Sequence, residues 1–514
     1  MKKAQKIGLS LLSGLLLSLS WPEIGNMSLL IFTAFIPLFY LFSFSPPQQW
    51  RSSFIFAFFS FLIWHIITDY WMLYSTIIGS ITAWIINSFM MASVISLAFY
   101  SKNKIKWIPF EIILSFYWLS FEILHLFWDL SWPWMSLGHA FAKDVEWIQW
   151  YEYIGIYGGA FWIIVINGLL YRLISAIKKN QLRSFIWSTS LSVLFLMLPI
   201  LFSLYLFKRE LPIQSEIKIS VVQTNFDTYT EKFSGLSPLE QSDQILDMLH
   251  DIQEPIDLCV LPETAIPENI EEHTTSYPLS IKNLLHWSEV KSYPTLGSYY
   301  SKDSLNSYNT AALFQNGEIN QVRHKSKLVP FAESMPFEFI TKGLRSIIKE
   351  EGGTGSTFSR DEYARVFSMN NSKLNKLGTL ICFESIFPDI IAEMVRNGAE
   401  FLIIITNDDW WFDTPGHRQH FTFARVHAIE NRRPIARAAN TGISGFIDAK
   451  GVVLQASTYR EKTQLTETLS SPSYETFFSK NERNMRWMII SIRSLIILLQ
   501  ILLYVFSKGK KAVK

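Results

Sequence analysis

The chain holds only two cysteines in 514 residues, and only 18% of those residues are charged, with a formal net charge of +2. Two cysteines exclude a disulfide-framed scaffold and a multi-thiolate metal centre. A domain of this size needs no bridge to secure its core, so Cys259 and Cys382 are read as free thiols. A small net charge gives no electrostatic footprint for nucleic acid. Repeats and low-complexity tracts are missing, which removes solenoids and repeat arrays. His417, His420 and His427 have no accompanying thiolates or zinc-ligand spacing and are read as hydrogen-bonding groups around a helix start.

Apolar residues are what the chain has in quantity. At 49% hydrophobic, 15% aromatic and a mean hydropathy of +0.18, it is too apolar to be wholly soluble. Long apolar runs crowd the first two fifths and the end of the chain, each about as long as a bilayer core requires. Eight candidate spans result, at residues 7–20, 28–44, 53–70, 77–99, 107–128, 156–177, 185–207 and 486–507. Lys2, Lys3 and Lys6 precede an apolar stretch as in a secretory signal, but no small-residue cleavage site follows, so the segment is read as a retained anchor. Glu122 lies inside the fifth span, where a carboxylate is costly unless it faces the bundle or water.

Basic residues occupy alternate loops: the N-terminus, Arg51, Lys102 to Lys106, Arg172 to Arg183, and Lys508 to Lys514. The intervening loops, 22–26, 69–75 and 129–152, hold almost none. Basic loops stay in the cytoplasm, so both termini are expected there and the long segment between spans seven and eight outside. The expected division is a seven-span region over 1–210, an extracytoplasmic domain over 216–470 and a C-terminal membrane helix over 486–507.

Within that domain the pattern becomes short β-rich runs between polar helical stretches. Ile217 to Gln223, Leu258 to Leu261, Leu377 to Cys382 and Phe401 to Thr406 are apolar on both faces, as central strands covered by helices require. Asn316-Gly317 between two β-runs predicts a hairpin, because both residues tolerate positive φ. The fold class is therefore α/β, a layered sandwich attached to an α-helical transmembrane bundle. Phe337, Ile340, Leu344, Ile347 and Ile348 share one helical face opposite Lys342, Arg345 and Lys349, which predicts either an ordinary surface helix or an arm in the lipid interface.

Three residues stand at predicted strand edges with complementary chemistry. Cys382 ends an apolar run and precedes Glu384 and Pro388; Glu263 follows Leu258 to Pro262; Lys325 precedes Leu328 to Phe331. A thiol becomes an effective nucleophile when a base takes its proton or a cation stabilises the thiolate. Glu263 is placed as that base, and Lys325 as the cation that meets the developing oxyanion. Each residue alone also suits a plain role: core packing, a solvated turn, or a basic patch with Arg323, His324 and Lys327. Cys259, in an apolar run, is read as structural.

Taken together the motifs resemble the carbon-nitrogen hydrolase (nitrilase) superfamily and, within it, the membrane-bound apolipoprotein N-acyltransferase family. The resemblance runs through Leu261-Pro262-Glu263, Tyr308-Asn309-Thr310-Ala311, Lys325 to Pro336, Ile381-Cys382-Phe383-Glu384, Thr406-Asn407-Asp408, Gln419-His420 and Arg437 to Ser444, and includes Trp132-Pro133-Trp134 in the membrane region. It implies an αββα sandwich on about eight spans, with Glu263 as general base, Lys325 as oxyanion stabiliser and Cys382 as nucleophile, supported by Glu333, Phe383 and Glu384. Departures from the family pattern are Ala332 for Gly, Arg323 for an aromatic, Phe383 for Tyr and Phe233 for Trp.

The implied reaction moves an acyl chain from a membrane phospholipid, typically phosphatidylethanolamine, through a thioester to the α-amine of an S-diacylglyceryl cysteine on a lipoprotein. It implies the bacterial inner membrane, no cofactor and no metal. The alternatives are a membrane-tethered nitrilase-like amidase and a non-catalytic lipid-binding sensor; few charges and no inverted repeat argue against a transporter.

Overall fold

The structure, a computed structural model, describes residues 1–44, 50–252, 255–337, 339, 343, 358–362, 364–369 and 375–512. The amphipathic face expected from Ile340 to Lys349 lies outside these residues. The chain forms two compact units, one of Met1–Tyr70, Ser80–Lys208 and Asn481–Lys514, the other of Trp71–Gly79 and Arg209–Lys480.

The first unit contains α1 (Lys3–Ser20), α2 (Ile36–Ser43), α3 (Trp50–Asp69), α4 (Ile77–Lys104), α5 (Phe110–Leu124), α6 (Tyr151–Lys178), α7 (Leu182–Lys208) and most of the last helix, Phe477–Ala512. Among the described residues six stretches are long and apolar enough to cross a membrane: Arg51–Tyr74, Ile77–Lys104, Phe110–Phe127, Tyr151–Lys178, Leu182–Lys208 and Phe477–Val505. Of the other two expected spans, the one at 7–20 lies in the 18-residue α1, which is not among these six stretches. The one at 28–44 is not a single helix but a 3-10 turn, Ser28–Phe32, followed by α2.

Pro37 in the first turn of α2 explains that break, since proline has no N–H and its ring clashes with the carbonyl four residues earlier. In an apolar interior the freed backbone groups need partners, and Asn167 of α6 supplies them. It is fully buried, accepts from Phe35 N at 2.9 Å and donates to Ile31 O at 2.8 Å. Glu122 faces the bundle, as its position demanded: it accepts from Trp118 Nε1 at 2.9 Å and Leu137 N at 2.8 Å.

The second unit is built on two sheets. The first runs in the order β13 (Thr463–Pro472), β1 (Ile213–Gln223), β2 (Leu258–Val260), β4 (Thr295–Lys302), β5 (Ser307–Gln315), β6 (Glu318–His324), with β3 (Asn269–Glu271) also on β4. The second runs β12 (Val453–Ala456), β11 (Gly445–Ile447), β10 (Ile435–Ala439), β9 (Phe401–Thr406), β8 (Lys376–Ile381), β7 (Phe367–Ser368). β1, β2 and β4 are parallel to one another, as are β8, β9 and β10. The predicted hairpin is β5 and β6, with Asn316 at φ 55° and Gly317 at φ 79°.

Side-chain alternation sorts the core into layers. Ile217, Ile219, Val221, Leu258 and Val260 face Leu377, Ile381, Ile403, Ile405 and Ala438 between the sheets. The intervening Val222, Cys259 and Leu261 point outward to α8 (Pro238–His250) and α9 (Leu279–Lys291). The second sheet is covered on its outer face by α10 (Pro388–Arg396) and α11 (Pro415–Asn431). The order is helices, sheet, sheet, helices. The last helix, Phe477–Ala512, is α12. Cys259 and Cys382 are both free thiols.

Replacing Asn167 by Leu strands the Phe35 N–H and leaves the Ile31 carbonyl only its 3.4 Å bond from Ala34 N, and a buried orphan costs about 1–3 kcal/mol. The expected outcome is a lower thermal midpoint in detergent for Asn167→Leu, with Asn167→Gln retaining part of the loss; an unchanged midpoint in both would remove this residue's mending role.

Candidate active site

The parallel strands point their carboxyl ends the same way within each sheet, and chain leaving such ends is where α/β folds converge functional side chains. β2 stops at Val260 and β3 resumes at Asn269 along the same edge of β4, so residues 261–268 leave the sheet and carry Glu263 with them. Lys325 directly follows β6, Cys382 follows β8, Asn407 follows β9 and Asn440 follows β10.

Glu263, Lys325 and Glu333 meet in one ion-pair chain. Lys325 Nζ donates to Glu333 Oε1 at 2.8 Å and to Glu263 Oε1 at 3.1 Å, with the lysine side chain only 1% exposed. Asn309 Nδ2 donates to Glu263 Oε1 at 2.7 Å, and Asn407 N donates to its Oε2 at 3.1 Å. Val329 N holds the far oxygen of Glu333 at 2.9 Å. Burial alone would pull the Lys325 ammonium down, but the two carboxylates raise it well above its ordinary value.

The Cys382 thiol lies within electrostatic reach of this chain. Burial pushes it up from its ordinary value and the Glu263 charge adds to that, while Lys325 opposes the shift. Burial thus favours the neutral thiol, and Glu263 is the carboxylate beside it.

Cys382 has φ 50°, a left-handed conformation that costs a side-chain-bearing residue about 1–3 kcal/mol. Hydrogen bonds on both sides hold it there. Ser385 Oγ donates to Cys382 O at 2.7 Å, and Ile381 N donates to Glu384 Oε2 at 2.7 Å. Glu384 is in turn gripped by Arg323 through two bonds of 2.6 and 2.7 Å, both side chains fully buried. Arg323, a departure from the family pattern in the sequence, is therefore the counter-ion that lets Glu384 stay charged: burial would raise that carboxyl, and Arg323 holds it below its usual value. Neither Arg323 nor Lys325 belongs to a surface basic patch.

A second buried network stands behind Ser385. His420 Nε2 is 2.8 Å from Ser385 Oγ, and its Nδ1 is 2.9 Å from Asp408 Oδ1. Arg437 reaches Asp408 Oδ2 at 2.5 Å. Against burial, which would raise it, Arg437 and His420 hold the Asp408 carboxyl well below the carboxylate range. His417 and His427 also hydrogen-bond to carboxylates, Asp413 at 3.2 Å and Glu430 at 2.7 Å. Among the described residues no cluster of three or more metal-ligating side chains forms.

Sequence reasoning gave no role to Asn309, Asp408, Arg437 or Lys232. Lys232 Nζ donates to the backbone carbonyl of Glu263 at 2.9 Å, and burial pulls its ammonium down to about 7 although Glu263 and Asp409 resist. The usable signal was charge in otherwise apolar or β-rich stretches. Phe383 packs edge-on against Phe387 at 5.1 Å, and Phe233 stacks on Trp410 at 5.9 Å.

The electrostatics set a sign that titration can check. Glu263→Gln removes a charge that raises the thiol, so alkylation of Cys382 by a neutral reagent is expected to climb at lower pH than in the unaltered protein. Lys325→Met is expected to move the same curve to higher pH, and shifts in a common direction would contradict this geometry. Arg323→Met leaves Glu384 charged and unpaired in the interior, which costs about 3–5 kcal/mol. Denaturant unfolding of the second unit is expected to show that loss, and Arg323→Met with Glu384→Gln to show a smaller one.

Two family models match the chain. Carbon-nitrogen hydrolase covers residues 219–476, and the apolipoprotein N-acyltransferase N-terminal domain covers residues 13–169. An apolipoprotein N-acyltransferase of Chlorobaculum tepidum is 26% identical over 500 residues, covering 92% of each chain. One of Geobacter metallireducens is 28% identical over 490 residues, covering 92% of this chain and 91% of the relative. Among solved structures, Saccharomyces cerevisiae Nit3, a member of branch 10 of the nitrilase superfamily, aligns with 53% of this chain and 95% of its own at 17% identity and a TM-score of 0.39. With a family model spanning half of its length, the chain belongs to the carbon-nitrogen hydrolase family.

Proposed function

We propose that this chain is a membrane-bound acyltransferase that moves a phospholipid acyl chain to the α-amine of the N-terminal S-diacylglyceryl cysteine of lipoproteins. The observation that carries the reading is the buried meeting of Glu263 and Lys325 beside a strained Cys382, in a chain whose residues 13–169 match the apolipoprotein N-acyltransferase N-terminal domain.

In the first step Glu263 takes the thiol proton as Cys382 Sγ attacks an ester carbonyl of phosphatidylethanolamine. Lys325 faces the tetrahedral oxyanion, where a fixed cation in a water-poor site is worth most. Collapse breaks the carbon–oxygen bond, and the lysophospholipid departs with the proton from Glu263. In the second step the lipoprotein amine attacks the thioester, Glu263 accepts the amine's proton, and the thiol is restored with the amide formed. Splitting the exchange in two gives ping-pong kinetics. Glu333 fixes Lys325, and Glu384 and Phe383 fix the nucleophile's turn. The chemistry calls on no metal or cofactor.

Both substrates are anchored by acyl chains at about 0.8 kcal/mol per buried CH₂, so an enzyme acting on them gains by residing in the bilayer. The reading includes eight membrane segments over 1–210 and 486–507, both termini cytoplasmic, and the 216–470 domain outside the inner membrane of a bacterium.

Intact-mass spectrometry of the purified chain incubated with phosphatidylethanolamine tests this. An acyl-sized, hydroxylamine-sensitive adduct is expected, absent in Cys382→Ala and discharged by a diacylated lipopeptide with a free N-terminus. An adduct that decays equally fast without the lipopeptide would make the chain a hydrolase; no adduct would favour a lipid-binding role without turnover.

A further inference from the structure

A cavity of about 470 Å³ lies in the first unit, away from Cys382 in sequence and element. Its lining includes Met90 and Leu97 of α4, Ser120 and Phe121 of α5, and Arg493 of α12. That volume falls in the range of small-ligand sites.

Two polar groups on its wall are unsatisfied. The Ser120 hydroxyl, on a side chain only 2% exposed, has no hydrogen-bond partner among the described residues. Arg493 Nε has none either, and among the described residues Arg493 makes no ion pair. Two other arginines of this unit are neutralised: Arg172 pairs with Glu111 at 2.9 Å, and Arg486 with Glu482 at 2.5 Å. Arg493 stands seven residues past Arg486, so at 1.5 Å per residue it is about 10 Å further along the helix, within the apolar run. A cation at such a place needs an anion or water.

The apolar wall selects between them. A small hydrated anion gains nothing from Met90, Leu97 and Phe121, whereas a lipid phosphate brings its own acyl chain to cover them. Guanidinium binds phosphate through paired, charge-assisted bonds, and a serine hydroxyl suits an ester carbonyl. We propose that this cavity holds one phospholipid of the surrounding bilayer, its phosphate on Arg493, an ester carbonyl on Ser120 and the start of one acyl chain along α4 and α5. This lipid is distinct from the acyl donor, and the assignment does not depend on the reaction at Cys382.

The test uses the full-length Cys382→Ala chain, delipidated in detergent, with a phosphatidylglycerol carrying a diazirine on its acyl chain. After irradiation, peptide mapping is expected to find label on the segments holding Met90 to Leu97 and Phe121 to Leu124. Arg493→Gln is expected to lower label there about tenfold, the loss of one strong charged bond, without lowering label elsewhere. Leu97→Trp, which fills the cavity and keeps the charge, is expected to lower it as well. Competition should be strong with unlabelled phosphatidylglycerol and weak with diacylglycerol or glycerol 3-phosphate. Label unchanged by both substitutions, equal competition by diacylglycerol, or equal competition by glycerol 3-phosphate would each overturn the assignment.

Discussion

One ammonium taken out of water governs the second unit. Lys325 is almost wholly buried, and a lone ion there would lose several kcal/mol of hydration that no single pair reliably returns. Carboxylates on two sides, Glu263 and Glu333, make the burial tolerable, and each of those must be satisfied in turn. The demand spreads outward to Asn309, the Asn407 amide and the Val329 amide. Lys232 adds a further tie, on the Glu263 main chain. A site assembled this way is rigid because its members jointly keep one another charged and dry.

The turn at Cys382 obeys the same logic by a different route. Its φ angle is unfavourable, and the compensation comes from two separate buried networks. Arg323, Glu384 and Ser326 secure the residue before Cys382, and Ser385, His420, Asp408 and Arg437 secure its carbonyl. The two networks draw on β6, β8, β9, β10 and α11, so the turn is braced by both sheets of the sandwich.

Much of this was legible in the residues. Alternation and length exposed the strands, Asn316-Gly317 the hairpin, and strand-edge placement the positions of Glu263, Lys325 and Cys382. The break in the second apolar segment could not be read from hydropathy, because Ser28 to Ser43 is apolar throughout and hydropathy is blind to a proline's missing N–H. The partner of Glu384 was hidden for another reason. Arg323 sits in a run of basic residues that reads as surface, and only its ion pair with Glu384, in the turn after β8, shows that its side chain turns inward. Asp408 and Arg437 fall within motifs of the resemblance, but their pairing across 29 residues leaves no local pattern.

The left-handed cysteine sets the proposed chemistry against backbone preference. A glycine at position 382 would adopt that backbone without a Cβ penalty, offset only by its greater freedom in the unfolded chain. The residue proposed to carry the reaction is therefore held in a backbone conformation that favours glycine. On the proposed mechanism, Cys382→Gly would relieve the backbone strain by the same change that removes the sulfur the reaction uses.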